Sequence, residues 1–304
     1  QKFFDDVNEE FARILADDPA GHEQIIPQAE LDRVAASFVD PAGVAPAADA
    51  VLDTADTAIA RWLSRNVHGH RVSGYRAVTL SLKRVGIPPG DTSADVMDTA
   101  AALADQFSHG ELRVTRRQNL VLPWVKASDL PALFQAARAA GFATANAGLL
   151  TDQIACPGGD YCALANARSL PLAAEIAERY QDAEELEALG EIDLHISGCI
   201  NSCGHHHSGH IGVLGVDKDG AEWYQLTLGG SDGSTLSGAT TPGKVIGPSF
   251  AADEIADAID AVLETFKRER QAGERFIDAV KRLGLDPFKT AANAVRVSTA
   301  RAQA

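Results

Sequence analysis

Among 304 residues there is one methionine, Met97, few aromatics (6%), and no apolar run near the ~18 residues that a membrane-spanning helix needs. Basic residues are outnumbered by acidic ones, 27 against 42, which leaves a net charge of −15. A surface this acidic repels phosphate backbones and anionic lipid, so general nucleic-acid and membrane-surface roles are disfavoured. The N-terminus also lacks the basic and apolar regions of a signal peptide, and the expected location is the cytoplasm. No initiator methionine is present: Gln1 opens an amphipathic helical pattern through Phe3, Phe4, Val7, Phe11, Ile14 and Leu15, and the chain reads as a piece of a longer polypeptide. What is present, 45% hydrophobic and 23% charged residues, suffices for a substantial core and argues against disorder.

The spacing divides the chain into three stretches. Residues 1–70 read as a helical lead-in with Pro/Ala-rich linker at Pro41 to Pro46. Residues 71–145 carry alternating units. Tyr75 to Leu82 has the period of a strand, Pro88-Pro89-Gly90-Asp91 breaks it, and Ser93 is placed to cap a helix bearing Val96, Ala100, Leu103 and Phe107. Short strands at Glu111–Val114 and Asn119–Val125 follow, then a helix through Ala140 that Ser128 is placed to cap. This β-α-β-β-α order is an α+β unit of ferredoxin-like type. Residues 146–304 read as a larger mixed α/β domain, with a helix over Leu170–Tyr180 and a strand at Ile192–Ser197. A hairpin, Ile211–Val216 with Trp223–Leu228, turns on Asp219-Gly220. Gly229 to Gly243 reads as a surface loop, and helical spacing from Ala251 to Leu283 stops at Gly284 and Pro287.

All four cysteines fall in two tight pairs, Cys156-x5-Cys162 and Cys199-x3-Cys203, with none spare. Two local pairs are how a four-ligand metal site appears in sequence, each pair clipping one edge. Disulfides are disfavoured by the chain's size and its lack of a secretory signal. Structural zinc is disfavoured because zinc pairs keep two to four residues between cysteines, and the first pair has five. A 4Fe-4S cluster on Cys156, Cys162, Cys199 and Cys203 is the preferred reading. The small residues around it, Pro157, Gly158, Gly159, Gly198, Ser202 and Gly204, let backbone amides approach a bulky inorganic core.

Cys-x5-Cys followed by Ser-Gly-Cys-x3-Cys resembles the cluster motif of the siroheme-containing sulfite and nitrite reductases. The likeness extends to Gly74-Tyr75, Gly90-Asp91, Leu112-Arg113, Gln118-Asn119, Asn166, and the tail from Arg275-Phe276-Ile277-Asp278 to Asp286-Pro287-Phe288. It covers nearly the whole chain and looks most like the C-terminal half of bacterial assimilatory sulfite reductase hemoproteins, enzymes about twice this length. The resemblance implies a ferredoxin-like half domain followed by a domain that binds the cluster and siroheme. It implies reduction of sulfite to sulfide, with nitrite to ammonia as the alternative, an N-terminal half of the same polypeptide as a partner, and an electron-donating flavoprotein or ferredoxin. Cys203 is then shared between cluster and siroheme iron and is the catalytic ligand. Asn201, Gly204, His205, Arg113 and Gln118 are the cofactor-binding candidates. A precorrin-3B synthase-like oxidation and an inactive cluster-carrying fragment are the other readings.

One departure from the family pattern is His210, which stands where many members carry an acid. It belongs to a run with His205, His206 and His207 that is expected to be a polar loop rather than a zinc or iron site. The densest basic spot is Arg113, Arg116 and Arg117, a candidate for anionic cofactor groups or a solvated face. Glu184-Glu185-Leu186-Glu187 reads as a solvated helix, and Gly229-Gly230 lacks the setting of a dinucleotide loop.

Overall fold

The computed structural model describes residues 1–50, 54–234 and 238–302. Two compact units result, residues 1–45 and 46–304. The first contains α1 (Lys2–Asp17) and α2 (Gln28–Ala35) and buries no large side chain in either helix. The apolar stripe foreseen on α1 exists, but Phe3, Phe4, Val7, Phe11 and Ile14 are all exposed.

The second unit begins with α3 (Thr57–Asn66), capped by Asp56, and β1 (Val67–Gly69). Next come β2 (Tyr75–Leu80), α4 (Ala94–Phe107), β3 (Arg113–Val114), β4 (Leu120–Lys126) and α5 (Leu130–Ala139). The strands form an antiparallel sheet ordered β1-β2-β4-β3, so the expected β-α-β-β-α unit is present with one strand, β1, added at its edge. Three residues are too short a run for a period-2 signal.

Ser93 caps α4 as expected, its Oγ accepting from Val96 N. Ser128 does not cap α5. A 3-10 turn at Ala127–Asp129 intervenes, Ser128 Oγ donates to Asp129 Oδ1, and Pro131 in the first helical turn has no N–H to satisfy. Pairing of β2 with β4 slips between Val78↔Leu122 and Arg76↔Val125, so Pro123-Trp124 face one residue. Proline cannot donate to a ladder and is tolerated at such a bulge. The slip sends Val125 into the core of Trp62, Leu80, Leu103, Leu133 and Phe134, while Trp124 stacks with His70 and Tyr75 outside that cluster.

A second sheet follows, made from β5 (Ile154–Ala155), β6 (Leu194–Ser197), β7 (Ile211–Lys218), β8 (Ala221–Leu228), β9 (Lys244–Val245) and β10 (Phe250–Ala251). Its order is β10-β8-β7-β6-β5, with β9 also on β8. β5, β6 and β7 run parallel, and β7 and β8 form the antiparallel hairpin turning at Asp219 and Gly220, both with positive φ. The β5–β6 crossover contains α6 (Leu170–Arg179) and α7 (Ala183–Leu189). α7 is more than a solvated helix: Leu186 and Leu189 are buried, and Glu187 pairs with Arg65.

α8 (Ile255–Glu269), α9 (Phe276–Leu283) and α10 (Asp286–Ala302) cover the sheet, with Ile259, Val262, Phe266, Phe276 and Phe288 packed on Leu194, Ile196, Ile211 and Val213. Gly284 ends α9 with φ 72, but Pro287 starts a helix instead of stopping one, occupying the second position of α10. The Gly229–Gly243 segment is not wholly a surface loop: Gly230 and Ser231 are buried and Ser231 bridges Thr241, while residues 235–237 lie outside the described residues. The α+β class expected from the sequence is the class observed. Among the described residues no helix is long and apolar enough to cross a membrane.

Candidate metal centre

Parallel strands leave their connecting loops at the carboxyl ends, the edge where open α/β sheets bind ligands. Cys156 is the residue after β5, and Cys199 lies two residues after β6. The register Ala155↔Ile196 therefore sets the start of one Cys loop beside the start of the other. Cys156 N donates to Ile196 O at 3.1 Å, continuing the ladder, and Gly198 N donates to Cys156 Sγ at 3.1 Å. Ser169 Oγ lies 3.5 Å from the same sulfur. Asn166 N and Ala167 N both donate to Gly198 O, at 2.8 and 3.0 Å, which ties the chain following Cys162 to the chain preceding Cys199.

This interlock requires glycine. A Cβ on Gly198 would stand 2.6 Å from Ala167 O and 2.8 Å from Gly158 Cα, and one on Gly204 would stand 2.1 Å from Ile196 O. Cys162 N closes a turn on Gly158 O, and Gly204 N donates to Ser197 Oγ. Ser202 and His205 hold left-handed backbone at φ 57 and 55, strain of the kind that surrounding structure imposes at functional loops. Cys199 is buried, Cys156 and Cys162 are half-buried, and Cys203 is exposed. All four are free thiols.

No group of three or more His, Cys, Asp or Glu among the described residues stands close enough to hold one metal ion. A polynuclear cluster takes one thiolate on each of its irons, and four free thiols on two interlocked loops supply that donor set. The Gly198 amide aimed at a sulfur is a donor of the kind with which proteins tune bound clusters.

Gln118 approaches from the first sheet. It is left-handed at φ 56, and its side-chain amide pairs with both backbone groups of Ala155, Nε2 donating to the O at 2.8 Å and Oε1 accepting from the N at 3.1 Å. The amide acts as a strand on the free edge of β5, immediately before Cys156. Gly90 makes room, since a Cβ there would lie 2.6 Å from Gln118 Cβ. Gly204 and His205 lie in the second Cys loop, where His205 O meets His195 Nδ1 at 2.9 Å, and Asn201 is exposed on it. Arg113 is not brought to the loops by any described contact; it is exposed on β3 and pairs with Glu111.

The four histidines separate instead of forming one polar loop. His205 and His207 are exposed, whereas His206 and His210 are buried. His206 Nδ1 meets Ser202 Oγ at 3.2 Å, and its Nε2 has no partner. Burial, reinforced by His207 and His195, pulls its pKa down to about 4. His210 Nδ1 accepts from Asp193 N, and burial lowers its pKa despite Asp193 Oδ2 at 3.7 Å from Nε2.

The sequence reading passed over a seam of buried polar groups between the sheets. Arg117 Nη1 donates to Asp193 Oδ1 at 2.7 Å. Lys83 Nζ donates to Arg117 O at 2.6 Å and Gln153 O at 2.8 Å, and burial lowers its pKa. Asn119 Nδ2 donates to Asp152 Oδ1 at 2.8 Å. These residues flank the strands in turns and loops, where polar side chains are ordinary, so no local pattern marked them as buried.

An interlocked pair of Cys loops on a mixed sheet, buttressed by a ferredoxin-like unit, defines an iron–sulfur redox protein. Residues 148–298 match the nitrite and sulphite reductase 4Fe-4S domain and residues 80–140 the nitrite/sulfite reductase ferredoxin-like half domain, and the chain belongs to this family, whose cofactors are a 4Fe-4S cluster and siroheme. It is 30% identical over 200 residues to the assimilatory ferredoxin-dependent nitrite reductase of Haloferax mediterranei, an alignment covering 64% of this chain and 33% of that protein. It is 29% identical over 228 residues to sulfite reductase [ferredoxin] 2 of Mycolicibacterium paratuberculosis, covering 71% of this chain and 40% of the relative. The structure of the Mycobacterium tuberculosis NirA protein superposes with TM-score 0.58 at 26% identity, over 80% of this chain and 43% of that one. The chain thus spans one third to two fifths of the length of these curated relatives.

Proposed function

We propose that the chain is the cofactor-bearing C-terminal half of an assimilatory reductase that takes sulfite to sulfide by six electrons. Cys156, Cys162, Cys199 and Cys203 hold the cluster, and Cys203 also ligates the siroheme iron. When bound, the cluster and siroheme would supply one-electron chemistry. The observation that carries this reading is the Gly198 amide donating to Cys156 Sγ across two interlocked loops. Residues 1–70 serve as lead-in, 71–145 as the half domain that braces β5 through Gln118, and 146–304 as the cluster-bearing domain.

The protein's own groups have defined work in this scheme. Gly198 N–H and Ser169 Oγ surround the Cys156 sulfur, and Gln118 sets the backbone of Ala155 before it. Tyr161, Leu164 and Ile200 are 81%, 72% and 79% exposed on the Cys loops, apolar surface that fits cover by a macrocycle and by an N-terminal half. Ferredoxin is the electron donor, a reading supported by the relatives whose names carry it.

Nitrite is the second reading, favoured because several similar relatives, from Haloferax mediterranei, Synechococcus elongatus and Spinacia oleracea, are nitrite reductases. Anaerobic reconstitution of the 304-residue chain, with iron and sulfide analysis and paramagnetic resonance, tests the cluster; four irons and four sulfides per chain are expected. Turnover of sulfite and nitrite side by side, with reduced methyl viologen and the chain joined to an N-terminal half, decides the substrate. Faster nitrite turnover overturns the sulfite assignment.

A further inference from the structure

Every arginine whose side chain is described, with two exceptions, has a hydrogen-bond, ion-pair or ring partner. The exceptions are Arg84 and Arg138: their backbone carbonyls accept turn hydrogen bonds, but their guanidinium groups contact no acceptor among the described residues. In a chain of charge −15, unpaired guanidinium groups are unexpected, because acidic side chains are abundant. Both line the same cavity of 360 Å³, and Arg61 is a third arginine on its wall.

The three arginines come from separate elements. Arg61 lies on α3, Arg84 in the loop after β2, and Arg138 in the last turn of α5. Ala58, Ala143, Ala145 and Ala183 supply apolar wall, while Phe134, also on the lining, is only 2% exposed. Gly141 gives Arg84 its place, since a Cβ there would lie 2.4 Å from Nη1. Among the described residues the only acid paired here is the exposed Glu184, 3.4 Å from Arg61, which leaves the other two guanidinium groups open.

We propose that this cavity binds a small organic dianion, with the charged end held by Arg84 and Arg138 and the apolar body against the alanines of its wall. Guanidinium forks match the paired oxygens of carboxylate and phosphate, and the volume falls within the range of small-molecule sites. An ion with charge but no apolar part leaves the alanine wall wet and binds more weakly. The site shares no residue with the Cys loops, so it stands whether or not the cluster assignment does.

Calorimetric titration of the 304-residue chain at low salt tests it with phenyl phosphate, phthalate and inorganic phosphate. One-to-one binding is expected, tightest for the two aromatic dianions, and preference between them tells whether phosphate or paired carboxylate is the recognised group. Arg84→Ala and Arg138→Ala each weaken binding about tenfold. Arg268→Ala, on α8, serves as a charge control and leaves it unchanged. Neither arginine in the cavity has a protein partner to lose, and a thermal melt unchanged in both variants confirms that they fold. Absence of saturable binding by all three probes, or binding indifferent to both cavity substitutions, overturns the proposal.

Discussion

The two sheets of residues 46–304 differ in how their strands are connected, and that difference locates the chemistry. In the antiparallel sheet β1-β2-β4-β3 the neighbouring strands run in opposite directions, so loops leave at both edges and no two strand ends of the same polarity adjoin. It contains no cysteine. In the mixed sheet, parallel β5, β6 and β7 deliver two loops to one edge, and both are Cys loops. The antiparallel sheet contributes at one remove, through Gln118 on Ala155 and through the seam of Lys83, Arg117, Asn119, Asp152 and Asp193.

The largest expected effect is at the cysteines. Cys203→Ser in the complete enzyme should abolish both cluster and siroheme signals, whereas Cys156→Ser removes the cluster with less loss of siroheme; equal siroheme loss in visible spectra of the two would refute the shared role of Cys203. Next comes the seam. Asp193→Ala leaves the Arg117 charge buried without its partner and should cost about 3–5 kcal/mol by denaturant unfolding, while an apolar pair at both positions recovers most of it. If the single variant costs less than ~1 kcal/mol, the sheets are not joined through this pair.

Glycines sharpen the contrast between the regions. Gly198→Ala drives a Cβ into Ala167 O and Gly158 Cα and should cost about 2–3 kcal/mol together with reconstituted iron. Gly86→Ala, in the loop after β2, meets no atom within 4 Å and carries only the penalty of its φ of 79°, about 1 kcal/mol. Acid should act on the mixed sheet. His206 has a folded pKa of about 4, below its unfolded value near 6.5, so the unfolded chain takes up the proton first. Stability is full above pH 6.5 and falls progressively between pH 6.5 and 4, by about 3 kcal/mol, and His206→Gln should flatten that part of the curve. The smallest effect belongs to the antiparallel region: Ser93→Ala removes the α4 cap and should cost about 1 kcal/mol without changing cofactor content.

Much of the plan was legible because its signals are local. Strand periods at β2 and β4, the Ser93 cap and the Asp219-Gly220 turn depend on neighbours within a few residues. Misreadings arose where a longer context overrode a local cue. Ser128 was a plausible cap until the Ala127–Asp129 turn delayed the helix, and Pro287 was a plausible stop because Gly284 had already ended α9. The pairing of cysteines into two clips was likewise local, which is why the metal centre could be proposed from spacing.

Sequence by itself determined the β-α-β-β-α order of the ferredoxin-like unit, the β7–β8 hairpin and the presence of two glycine-flanked Cys clips. Only the tertiary structure decided that β5 and β6 lie parallel in a register that sets Gly198 N–H on Cys156 Sγ, that Gln118 spends its amide on Ala155, and that His206 and His210 lie inside while His205 and His207 stay outside. The physical reason is range. Helical and strand periods are written by residues a few positions apart, whereas these contacts join residues 17 to 42 positions apart, whose meeting depends on how whole sheets bury their apolar faces.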